Sequence, residues 1–69
     1  MAEVETFEVV GMTCQHCVAA VTEELSGLPG VIGVDVDLGT GRASVTSAES
    51  LPGSQIDAAV AEAGYEVRR

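Results

Sequence analysis

The apolar residues change period from two to three-and-four and back, twice over, within 69 residues. In residues 3–10, EVETFEVV, Phe7 and Val9 fall on one face and Thr6, Glu8 and Val10 on the other, as in a half-buried strand. Val18, Val21, Leu25 and Leu28 then recur at helical spacing, with Thr22, Glu23 and Glu24 on the wet side. The segment SGLPG ends that helix: Gly27 or Gly30 supplies a positive φ and Pro29 blocks continuation. Ile32, Val34, Val36 and Leu38 alternate with Gly33, Asp35 and Asp37, and the turn GTG at 39–41 sends the chain back through Ala43 and Val45. Ser54 with Asp57 resembles a capping box ahead of a second stripe, Ile56, Ala59, Val60 and Ala63; Gly64 stops it and YEVRR forms a short last strand.

Strand, helix, strand, strand, helix, strand is the resulting order. Two amphipathic helices bury their stripes most simply on one face of a four-stranded antiparallel sheet, so the expected class is α+β, an open-faced sandwich. No repeat or linker divides the chain, and residues 1–69 are expected to form a single domain. The core must be aliphatic: 46% of residues are hydrophobic, but there is no Trp and only one Phe and one Tyr.

The formal charge is -8, from 11 acidic residues against 3 arginines and no lysine. Nucleic acid and anionic membrane surfaces demand basic patches, so neither is an expected partner. The acidic N-terminal stretch MAEVETFEVV lacks the basic and long apolar regions of a signal peptide, and no apolar run approaches the ~18 residues that cross a bilayer. The expected location is the cytoplasm, without membrane insertion, where thiols stay reduced.

Against that background the stretch GMTCQHCVAA, residues 11–20, holds both cysteines and the only histidine. Two cysteines three positions apart in a reducing compartment read as metal-binding or redox-active. Cys14 falls in the loop after the first strand and Cys17 in the first helical turn, so their thiols can converge. Unsatisfied N–H groups and the positive end of the helix dipole favour thiolate there. Cys17 begins the buried stripe, whereas Cys14 is off the helix; Cys14 is therefore expected to be more exposed and to be where metal exchange begins. Two soft ligands suit Cu(I) and leave an open coordination sphere that an incoming thiolate can enter. Structural zinc normally takes four protein ligands, and even with His16 this chain offers three. Ligands drawn from one loop imply a fold that survives without metal.

Gly-Met-Thr-Cys-x-x-Cys at 11–17, LPGV at 28–31, VDVDL at 34–38 and AGY at 63–65 resemble the heavy-metal-associated domain family over nearly the whole chain, and its small bacterial copper chaperones in particular. The resemblance implies a ferredoxin-like βαββαβ fold and a surface Cu(I) site with Cys14 and Cys17 as ligands. It implies delivery to the metal-binding domain of a copper-exporting P-type ATPase, without enzymatic activity. It places Met12 beneath the loop as a packing residue and Tyr65 beside the site. Eukaryotic chaperones of this kind tend to carry Lys at the Tyr65 position and a basic docking face, and a chain without lysine departs from that polarity.

Other readings stay open. His16 could be an additional ligand, in the monomer or across a dimer, or a modulator of thiolate charge; Met12 could contribute a thioether. Tyr65 is either an apolar cap or a hydroxyl donor. The exposed site permits a copper-bridged dimer of an otherwise monomeric protein. The chain could equally be the N-terminal metal-binding domain of a copper ATPase, although its start at Met1 favours a separate protein. A mercury-binding protein would use the same motif, and a dithiol oxidoreductase is the enzymatic rival. Zinc or cadmium is disfavoured by Thr13, where related domains often place an acid. Glu23, Glu24, Asp57 and Glu62 are expected on solvated helix faces.

Overall fold

A computed structural model describes residues 2–68. The elements are β1 (Glu3–Val10), α1 (Gln15–Ser26), β2 (Val31–Val36), β3 (Arg42–Ser47), α2 (Gly53–Glu62) and β4 (Glu66–Arg68). The sheet has the order β2-β3-β1-β4, and every pair in it is antiparallel. This is the ferredoxin-like arrangement, with the helices over one face of the sheet.

Alternation decides which face of each strand meets the helices. Phe7, Val9, Ala43 and Val45 are buried, as their period requires, and Val21 and Leu25 of α1 meet Ile56, Ala59 and Val60 of α2 in the same core. Leu51, in the loop before α2, closes the far end. Leu25, Ile56, Val21, Val45 and Val60 are fully buried; each such side chain contributes roughly 1.5–3 kcal/mol of transfer free energy. Ser47 is the buried polar residue among them, and its hydroxyl donates to the Glu49 carbonyl, so no donor is stranded.

Two local expectations are corrected and one open alternative is decided. Ile32 is 65% exposed rather than inward, because β2 carries a bulge: Val31 pairs with Ser47 and Gly33 with Thr46, leaving Ile32 as the extra residue. One extra residue resets the faces, so Val31, Val34 and Val36 pack on the core, while Leu38 falls in the turn beyond the strand. The N-cap of α2 is Pro52, at φ -60 and ψ 137, with no side-chain cap; Ser54 already lies inside the helix, so no capping box forms. At the end of α1, Gly27 has φ -78, and the positive φ belongs to Gly30, at 85.

The register brings three connections to one end of the sheet. Val9 donates to the Gly41 carbonyl at 2.7 Å, which sets the β2–β3 turn beside the end of β1. On the other side Val10 pairs with Glu66, so one further step along the ladder puts Gly11 opposite Tyr65. The cysteine loop lies between these two connections.

Candidate metal centre

Cys14 is the N-cap of α1, in extended conformation at φ -156 and ψ 171. Its carbonyl accepts from Cys17 N at 3.1 Å and Val18 N at 3.3 Å, which starts the helix, while its sulfur makes no capping bond. The thiol is thereby turned to Cys17, with the two Sγ atoms 3.2 Å apart. Neither is bridged. Cys14 is exposed and Cys17 half-buried, the asymmetry expected from the helical stripe.

Tyr65 is brought to the site by the end of α2. Gly64 has φ 94, its N–H donates to Ala61 O at 2.9 Å, and the Tyr65 N–H reaches back to Val60 O at 3.1 Å. This paired 5→2 and 6→1 arrangement is a Schellman motif, and glycine at its left-handed position lets the chain reverse without strain. The Tyr65 ring then lies over Gly11, itself at φ 103; a Cβ on Gly11 would stand 3.3 Å from Tyr65 Cδ1. Glycine is favoured there by its dihedral, and a Cβ would also press on the ring.

The Cys17 thiol is lowered from 9.0 to about 6. The largest cause is hydrogen bonding from the Tyr65 hydroxyl, followed by the Thr13 backbone and the Cys14 side chain, with desolvation opposing them. Reciprocally, the Tyr65 hydroxyl is pushed above 10.0, chiefly by its bond to Cys17 and also by partial burial and the charge of the sulfurs. The ring of Tyr65 packs against the loop at Gly11, and its hydroxyl is on the side that lowers the Cys17 thiol.

Met12 is half-buried and packs on the core below the loop. His16 is exposed on the first turn, and no group of three or more His, Cys, Asp or Glu side chains able to hold a metal forms among the described residues. In this conformation the two thiols are the pair that the loop brings together. Sequence reasoning assigned no contact to Thr13 or Gly11. Thr13 Oγ1 lies 3.9 Å from Cys17 Sγ. A hydroxyl four residues before Cys17 at the helix entry was the available signal for the first, and a glycine directly after a strand for the second.

The heavy-metal-associated domain model matches residues 6–66. The chain belongs to the heavy-metal-associated domain family. Among related proteins, this heavy-metal-associated domain is 38% identical to copper chaperone CopZ of Bacillus subtilis (strain 168), over 97% of this chain and 99% of that protein. It is also 38% identical to copper-transporting ATPase 1 of Rhizobium meliloti (strain 1021), over 96% of this chain but 8% of the ATPase. Among solved structures, a CopZ metallochaperone superposes with a TM-score of 0.89 at 37% identity, covering 96% of this chain and 100% of that one. The domain therefore spans the full length of one kind of relative and a small fraction of the other. No helix among the described residues is long and apolar enough to cross a membrane.

Proposed function

We propose that this domain is a cytoplasmic Cu(I) chaperone, not an enzyme, whose 69 residues act as one unit. Cys14 and Cys17 hold one Cu(I) ion as cargo and pass it to the metal-binding domain of a copper-exporting P-type ATPase. The observation that carries this reading is the convergence of two unbridged thiols, 3.2 Å apart, on an exposed loop. Two thiolates satisfy a soft monovalent ion and leave room for another sulfur.

Transfer then proceeds by addition before loss. A thiol of the acceptor gives up its proton and its thiolate adds to the metal, and the exposed Cys14 sulfur leaves first and is reprotonated. A second acceptor thiolate replaces Cys17. Copper stays Cu(I) throughout, so no electron acceptor is required. Cys17 is half-buried where Cys14 is exposed, which makes Cys17 the ligand that an incoming thiolate reaches second. Met12 supports the loop from below, and His16 stays outside the pair unless a second protomer brings it into a copper-bridged dimer. The apo-protein is a monomer.

The match to the ATPase favours a second reading, in which the same fold and site serve as an N-terminal domain of a copper ATPase. The mass of the natural polypeptide distinguishes the two. For the function itself, mixing the Cu(I)-loaded protein with an apo metal-binding domain of a copper ATPase and separating them by ion exchange tests transfer. Copper is expected to appear on the acceptor without free copper in solution, and retention by the donor in the presence of excess acceptor would refute it.

A further inference from the structure

Away from the cysteine loop, the outer surface of the helical layer contains a groove of about 470 Å³ between α1 and α2. Its floor is mostly apolar and built from small residues, Gly27, Ala58 and Ala59, with the half-buried Leu28 at one end. The carboxylates of Glu23, Glu24 and Glu62 stand around it, all exposed. Glu24 lies seven residues along α1 from Cys17, about 10 Å of helix rise, so the groove and the thiols are separate places on one surface.

Charge on this molecule is segregated. Neither helix contains Lys or Arg. Of the described arginines, Arg42 is in β3 and Arg68 is in β4, where it pairs with Glu8 at 3.9 Å. Glu23, Glu24 and Glu62 have no cation within ion-pair distance among the described residues. An apolar trough with an unneutralised acidic rim favours one kind of visitor and repels another. A second copy of this chain would present the same acidic helices and a net charge of -8.

We infer that the α1–α2 groove is a docking site for a basic amphipathic helix of a partner protein, whose aliphatic residues enter the trough while Lys or Arg on both flanks meet Glu23, Glu24 and Glu62. A trough between two packed helices has the shape that accepts a third helix, and flanking charges fix its register and speed its arrival. Because the site is offset from the thiols, a partner held there raises the effective concentration of its own metal acceptor at Cys14 without covering it. The inference does not depend on copper binding.

The test uses the apo-protein and a synthetic helical peptide of about 15 residues, with leucines on one face and lysines beside them, followed by fluorescence anisotropy and amide chemical-shift mapping. Saturable binding is expected, with shifts centred on Glu24, Leu28, Ala58 and Glu62. Each of Glu23→Gln, Glu24→Gln and Glu62→Gln should weaken it about two- to five-fold. Ala58→Gln, which fills the trough at an exposed helix position, should abolish binding while thermal melting shows the fold intact. The double variant Cys14→Ser/Cys17→Ser should bind the peptide unchanged, separating this site from the metal reading. A control peptide with glutamines for leucines should not saturate. Absence of binding, equal binding of the control peptide, shifts centred on the cysteine loop, or concentration-dependent self-association through this face would each overturn the inference.

Discussion

Tyr65 and Gly11 face each other one step beyond the last β1–β4 pair, close enough that a Cβ on Gly11 would meet the ring at 3.3 Å. The same ring carries the hydroxyl that does most to lower the Cys17 thiol. A backbone requirement at the end of one strand is therefore coupled to the charge state of a sulfur in the next helix.

Gly11→Ala should cost stability and displace the ring together. A side chain at φ 103 is strained, at about 1–3 kcal/mol, and the ring must also yield a few tenths of an ångström. For a domain of this size a loss of about 1 kcal/mol lowers Tm by about 4–8 °C. Differential scanning calorimetry of the reduced apo-protein measures it.

Tyr65→Phe keeps the ring and removes the donor. Without its largest stabilising contact the Cys17 thiol should rise from about 6 toward 9.0, while thermal stability changes little. The pH profile of iodoacetamide alkylation, resolved by site with mass spectrometry, reports the shift; an unchanged profile would mean that the hydroxyl does not act on this sulfur.

Stability should depend on pH through the same thiol. Its folded value, about 6, lies below the unfolded value of 9.0, so the folded state favours loss of the proton. The contribution is fully present above 9.0 and disappears as pH falls through about 6. Urea denaturation of the reduced apo-protein should show this component between those limits, and Cys17→Ser should remove it.

Leu25→Ala empties a fully buried position and should cost about 2–5 kcal/mol. A chain of 69 residues has only about 3–10 kcal/mol to lose, so this variant should be partly unfolded at 37 °C by circular dichroism.

Most of the architecture could be read in the sequence because the two periods are clean: Phe7 and Val9 alternate, and Val21 and Leu25 follow the helical step, so each element announces its buried face. Ile32 was misread because a bulge obeys pairing geometry and leaves the alternation of residue types undisturbed. Ser54 was misread because Pro52, with its fixed φ, already occupies the cap position two residues earlier. The two thiols were legible from their spacing on a helix start. Tyr65 was placed beside the site by the family resemblance alone, since the contact joins residues 48 apart in sequence and depends on a Schellman turn at Gly64 and the register of β4, neither of which local spacing encodes.

The proposed site holds its metal through two thiolates and only those two. Competition titration of the reduced protein with Cu(I), Zn(II) and Hg(II) against a chromophoric chelator, for the wild type, Cys14→Ser and Cys17→Ser, tests it most directly. One Cu(I) per chain is expected, preferred strongly over Zn(II), with tight binding lost in both single variants. Tight Cu(I) binding retained by either variant would contradict the two-thiolate site.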